Sequence, residues 1–223
     1  INTIAETPYS ILIGTEKGLY TQDKFTEEIK FDFESSRELP AKNIYHLMYD
    51  PNTDYYWVVH KSGICYKSSI SRFWRDLLFF TINLSHYTDI DDIGFTRDAV
   101  WIKSGLNLIA LDPFNGSPIQ TDIMPDQNLI QWGFSRYGIE GNNLDLYNYS
   151  YPRGWSVNYD IISDQNNNKV SPTVIYENKY GSTWMGTESG ILLYGKSSSL
   201  KPHFLGLPQS HITEIYLDFQ KNV

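Results

Sequence analysis

Cysteine is nearly absent: the 223-residue chain has one, Cys65. A single thiol can form neither an internal disulfide nor a cysteine zinc site, and its place in "SGICYKS" predicts a buried small apolar side chain on a strand. Basic residues are scarce too, with 18 Lys+Arg against 26 Asp+Glu, a net charge of −8 and a pI of about 5.0. Nucleic acid needs a basic surface to neutralise phosphate, so this balance excludes non-specific binding to it and disfavours anionic membranes. No apolar run reaches the roughly 18 residues of a membrane helix, so membrane insertion by a helix is not expected. The histidines, His46, His60, His86, His203 and His211, show no metal-ligand spacing. There is no Gly-x-Ser-x-Gly elbow and no phosphate loop. These absences leave no catalytic, metal or cofactor signature; no cofactor is expected.

Aromatics are abundant: 17 Tyr, 11 Phe and 6 Trp. Such a chain folds, and aromatics favour strands. Its length suits one large domain or two small ones. It begins at Ile1, as a processed mature chain or an excised piece does, and either is compatible with export.

The segment "GSTWMGTESGILLYG" (Gly181–Gly195) restates "YSILIGTEKGLYTQD" (Tyr9–Asp23) 172 residues earlier. Gly186 and Thr187 fall on Gly14 and Thr15, Trp184 on Leu12, and Gly190 on Gly18. In "YYWVVHKSGICYKS", Trp57 and Gly63 take the same places 45 residues after the first copy. In "AVWIKSGLNLIALD", Trp101 and Asn107 take them 44 residues further on. Between this copy and the last, "GFSRYGIE" echoes "GFTRDAVW", marking a degenerate fourth unit. A second phrase confirms the period: "LPAKNIYHLMYD" (Leu39–Asp50) returns as "LPQSHITEIYLD" (Leu207–Asp218), 168 residues away, and loosely as "MPDQNLIQWGFS".

Short strands separated by Gly, Asn, Asp and Pro turns, repeated at an even spacing of 40–50 residues, predict an all-β array of propeller blades. The units fall at roughly 1–38, 39–84, 85–123, 124–168 and 169–206, with 207–223 a closing or extra strand. Trp57, Trp101 and Trp184 are expected between blades. Gly18, Gly63, Gly190 and Asn107 are expected at positive φ.

These phrases resemble the two-component regulator propeller repeat, roughly Leu-Pro-x-x-x-Ile followed by Trp-Ile-Gly-Thr-x-x-Gly-Leu. The first and last units match well, the second and third in part, and the fourth departs. The resemblance implies a β-propeller of an exported bacterial protein, periplasmic or at the cell surface, found mostly as sensing regions of hybrid histidine kinases and in secretion-linked proteins. It carries no catalytic residues.

Five blades are expected, with a piece of a six- to eight-bladed propeller as the alternative, because an open array exposes unpaired strand edges. For the five-bladed ring, the first strand of the N-terminal blade is read at Ile1–Glu6, with the C-terminal strand as a clasp. The candidate binding residues lie where the repeat fails: Tyr147, Tyr149 and Tyr151 on one strand face, with Arg153 and Trp155 following, all good interface or sugar-stacking types. Asp89 and Asp91, read on one strand face with Asp92 and Asp98 nearby, offer a weaker acidic cluster. The loop Asp164, Asn166, Asn168 lacks the turn Gly and bidentate Glu of a calcium site. The expected function is a non-catalytic recognition module binding a partner protein or glycan. The alternatives are a structural subunit of a larger surface or secretion assembly, and a propeller glycosidase or lyase.

Overall fold

Short strands joined by tight turns fold each unit into an antiparallel meander, with central strands such as Ser182–Thr187 buried on both faces. The computed structural model describes residues 1–121, 125–133, 145–159 and 161–206. The first sheet runs β1 (Thr3–Glu6), β2 (Ser10–Thr15), β3 (Gly18–Asp23), β4 (Ile29–Phe31) in chain order. A one-turn helix, α1 (Phe33–Glu38), follows, its first turn capped by the Asp32 carboxylate, which accepts from Ser35 N–H at 2.9 Å. The second sheet is β5 (Ile44–Asp50), β6 (Tyr55–His60), β7 (Gly63–Ser68), β8 (Arg75–Leu78).

The third sheet contains β9 (Asp92–Phe95), β10 (Val100–Ser104), β11 (Asn107–Leu111), β12 (Pro118–Ile119) and, beside β9, β13 (Gln131–Trp132). The fourth has three short strands, β14 (Ser156–Asn158), β15 (Ile161–Ser163) and β16 (Lys169–Val170). The fifth is β17 (Pro172–Glu177), β18 (Ser182–Thr187), β19 (Ile191–Lys196), β20 (Ser199–Phe204). The chain is an all-β, propeller-like array of five antiparallel sheets among the described residues.

The core is not one cluster but a series of seams between sheets. Leu12 and Leu19 pack on Ile44, Leu47 and Val58 of the second sheet. Trp57 and Val59 pack on Ile93, Val100 and Ile102 of the third. Trp184 and Leu192 of the fifth pack on Ile4, Ile11 and Ile13 of the first. Met185, on the opposite face of β18, meets Ile162 and Val170 of the fourth. Trp57, Trp101 and Trp184 are thus all buried, Trp101 against Ile130 and the half-buried Trp132. Cys65 is fully buried in the seam of the first two sheets, where burial pushes its thiol well up.

The repeated Gly-Thr has two jobs. A Cβ on Gly186 would lie 2.6 Å from Val174 Cγ1 and 2.6 Å from Ile1 Cγ2, and one on Gly14 would lie 2.6 Å from Ile44 Cγ2. Only glycine lets the next sheet come this close. The threonine closes the hairpin: Thr15 Oγ1 donates to Gly18 O at 2.8 Å and accepts from Lys17 N–H at 3.1 Å. Thr187 Oγ1 donates to Ile191 O and accepts from Ile191 N–H. The second unit has His60 instead, and its Nδ1 accepts from Ser62 N–H at 3.3 Å, doing what Thr15 does.

Several expectations are corrected. Gly18 (φ +125°) and Gly190 (φ +77°) have positive φ, but Gly63 and Asn107 do not. In the third unit the left-handed residue is Gly105 (φ +58°), first of the two loop residues, so Asn107 is free to start β11. Gly63 is needed for space instead: a Cβ there would meet Leu77 O of β8 at 2.7 Å. The N-terminal strand begins at Thr3. Gln131–Trp132, read as part of the fourth unit, pairs with Phe95 and Gly94 of the third sheet. Gly94 makes this possible, since a Cβ there would strike Ile130 and Trp132 at 2.7 Å. The C-terminal phrase at 207–218, the expected clasp, lies outside the described residues, as do 134–144 of the fourth unit.

Candidate functional site

The first and third turns of a four-stranded meander lie at the same end of its sheet. At that end the inner strands β1, β5, β9 and β17 finish around a cavity of about 660 Å³, lined by Glu6, Lys24, Trp132, Tyr176, Asn178 and Tyr180 among others. Large apolar side chains stand exposed on first and third turns at the same end: Tyr9 and Phe25 on the first sheet, Ile70 and Phe73 on the second, Phe114 on the third, Tyr180 on the fifth; of these Tyr180 lines the cavity. Tyr9 and Phe25 are neighbours, because Lys24 N–H donates to Tyr9 O at 3.0 Å.

A polar network crosses the seam of the fifth and first sheets at this end. Glu6 forms a 2.6 Å ion pair with Lys24 and accepts from Tyr176 Oη at 2.6 Å. Asn178 Nδ2 donates to the other carboxylate oxygen at 3.5 Å, and Lys24 Nζ donates to Thr7 O at 2.9 Å. Burial alone would raise the Glu6 carboxyl, but the hydrogen bonds from Lys24 and Tyr176 outweigh it and hold it below the usual carboxylate range. Burial first, then the bond to Glu6 and its charge, push the Tyr176 phenol well up. At neutral pH the pair is a fixed O–H donor on a fixed carboxylate. Deeper in the same seam, Trp184 Nε1 donates to Gln22 Oε1 at 2.6 Å, and Ile1 N–H donates to Thr187 O at 2.8 Å.

The segment singled out in the fourth unit is arranged differently from the expected strand. Leu146–Asn148 is a 3-10 turn capped by Asp145, so Tyr147, Tyr149 and Tyr151 do not share a strand face. An Asp before a short run caps a turn as readily as it precedes a strand. Tyr149, Tyr151 and Trp155 are half-buried against Leu146, Ile162, Met185 and Leu193, in the seam of the fourth and fifth sheets. Tyr151 Oη donates to Leu146 O at 3.0 Å. Tyr147 and Arg153 are exposed, and Tyr147 Oη accepts from Tyr159 N–H at 3.1 Å.

The acidic cluster also differs. Asp89 ends a 3-10 turn rather than lying on a strand, and its carboxylate accepts from Ser85 and His86 N–H. Asp91 accepts from Gly105 N–H at 2.7 Å. Both are occupied with backbone donors. The Asp164 carboxylate is likewise closed on its own loop, accepting from Asn166 and Asn168 N–H. Among the described residues no three His, Cys, Asp or Glu side chains converge as a metal site requires. His46 is wholly buried in β5. Apart from Tyr9, which opens the first repeated phrase, the exposed turn aromatics stand outside the repeated phrases, so they escaped the sequence reading; only topology gathers them at one end.

No family model and no curated protein matches the chain. Solved structures do. The surface component PorZ of the type-IX secretion system of Porphyromonas gingivalis is 13% identical over 90% of this chain and 27% of its own, with a TM-score of 0.45. The extracellular domain of the hybrid two-component system protein BT4673 of B. thetaiotaomicron is 16% identical over 98% of this chain and 37% of its own, at 0.40. That of BT3049 from the same organism is 15% identical over 86% and 26%, at 0.39. The chain therefore spans between about a quarter and somewhat over a third of each.

Proposed function

We propose that the chain is a non-catalytic recognition module of an exported bacterial protein of the two-component regulator propeller type, binding a partner protein or glycan at the end described above. The observation that carries this reading is the conjunction of a cavity of about 660 Å³ with exposed aromatics on the turns of four sheets at the same end, of which Tyr180 lines the cavity itself. Pockets of this size with a few convergent polar groups are the usual ligand sites, and exposed apolar patches mark interaction surfaces. Glu6, Lys24 and Asn178 supply the polar groups; Trp132 and Tyr180 supply the flat apolar ones.

The enzyme reading has less support. A glycosidase needs a carboxylic acid with a raised pKa as proton donor. Glu6, which with Glu177 lines the cavity among the described residues, is held ionised by Lys24 and Tyr176. A structural subunit would use the same exposed rim against a fixed neighbour.

The test is affinity capture from the native source with mass spectrometry, beside a glycan array, comparing the native chain with a Tyr9→Ser, Phe25→Ser, Tyr180→Ser variant. All three side chains are exposed, so the fold should persist. Loss of specific capture in the variant is expected; capture that is unchanged sinks the proposal.

A further inference from the structure

The seam of the fifth and first sheets also opens into a second cavity, of about 460 Å³, which shares Lys24, Asn178 and Tyr180 with the first. Its fifth-sheet wall is built in two rows. Ser182, Lys196 and Ser199 are cross-strand partners in one row, and Trp184, Tyr194 and Lys201 in the next. Directly opposed residues share a face, and Trp184 shows which: it packs on the first sheet. Gln22, Asp23 and Glu27 form the facing wall.

Two of the five charged side chains lining this cavity are already engaged. Lys24 is held by Glu6 and Thr7 O. The Asp23 carboxylate accepts from Phe25 and Thr26 N–H, each at 2.8 Å. Lys196 and Lys201 are exposed and have no ion-pair partner among the described residues; across the groove stand the carboxylates of Asp23 and Glu27. Among the lining residues lysines outnumber carboxylates three to two, in a chain whose net charge is −8. Beside the two lysines lie the half-buried ring of Tyr194, the exposed ring of Tyr180 and the edge of Trp184.

We propose that this groove binds a carboxylate carried on a ring. The carboxylate would sit between the Lys196 and Lys201 ammonium groups, where charge-assisted hydrogen bonds are strongest, and the ring along Tyr194 and Tyr180. The volume suits one or two rings. Two sources share this chemistry, a free aromatic acid and a uronic acid residue of a glycan. The site goes beyond the reading proposed for the 660 Å³ cavity, since neither lysine lines that cavity.

Calorimetric titration of the whole chain tests it, with 4-hydroxybenzoate and its neutral amide in one arm, digalacturonate and its methyl ester in the other. Binding in either arm is expected, at least tenfold weaker for the neutral counterpart. A Lys196→Gln, Lys201→Gln variant should lose at least tenfold in affinity with an unchanged melting temperature. The arm that binds identifies the source. If neither acid binds, if the neutral form binds equally, or if the double variant binds like the native chain, the proposal is overturned. Because neither lysine lines the 660 Å³ cavity, partner capture by the double variant should be normal, which separates this failure from failure of the recognition reading.

Discussion

Gly186 is the most direct test of how closely the sheets approach. Replacing it with Ala puts a methyl group 2.6 Å from Val174 Cγ1, within its own sheet, and 2.6 Å from Ile1 Cγ2 across the seam. Carbon atoms pack at about 3.5–4.0 Å, so both neighbours must retreat by about 1 Å. Overpacking of this kind costs about 1–3 kcal/mol. Replacing a strand glycine by alanine returns about 0.5–1 kcal/mol of chain entropy. At the midpoints of these ranges the net loss is about 1.3 kcal/mol. For a chain of this length each kcal/mol moves Tm by roughly 2–4 °C, so a drop of about 3–5 °C is expected in a thermal melt. Val174→Ala removes one of the two obstacles. The pair should couple, the double variant losing at least about 0.5 kcal/mol less than the sum of the singles. A Gly186→Ala variant as stable as the native chain, or strict additivity with Val174→Ala, would refute the close-contact reasoning.

Other outcomes follow from the same geometry. Thr187→Val should cost about 1–3 kcal/mol, because Thr187 is fully buried and its hydroxyl both donates to and accepts from Ile191; equilibrium denaturation measures this, and Thr15→Val, half-exposed, should cost less. His60 is held neutral by burial despite the upward pull of Asp76. Its folded pKa lies below the unfolded value of about 6.5, so its contribution is present above that pH and is lost as pH falls through the folded pKa. The Glu6 clamp has the same sign, present above about 4.5 and lost in acid; urea midpoints from pH 8 to pH 4 should fall, and His60→Gln should flatten the upper part of that fall. Trp155→Ala should destabilise by about 2–4 kcal/mol through lost packing, while Tyr147→Ala and Arg153→Ala should shift the denaturation midpoint little.

The blades were legible in the sequence because their phrases record local necessities. A turn needs Gly18 or Gly190, a hairpin needs a hydroxyl at Thr15 or Thr187, and a seam needs a large residue at Leu12, Trp57 or Trp184. Substitutes were harder to read. His60 does the work of Thr15 through a ring nitrogen, and Gly105 supplies the positive φ that Asn107 was expected to carry. Pairing partners were harder still. Nothing local in "LIQWG" says that Gln131 and Trp132 will add to β9, a choice made by the bare backbone of Gly94. The polar network of Glu6, Lys24, Tyr176 and Asn178 joins residues about 170 positions apart, so no sequence window contains it. The tyrosines of the fourth unit were noticed for their types, but burial of Tyr149 and Tyr151 is settled by the neighbouring sheet.

The seam between the fifth and first sheets also sets a timetable. Its partners, such as Ile1 and Thr187, are separated by 186 residues. Synthesis proceeds at about 5–20 residues per second, so roughly 10–40 s pass between the two halves leaving the ribosome. Throughout that interval the apolar face carrying Ile4, Ile11 and Ile13 has no permanent cover. The first sheet is made well before the fifth and must wait for it to be covered. Slowing elongation should therefore lengthen the window in which this chain needs a holdase, and removing Trp184 should make that need permanent.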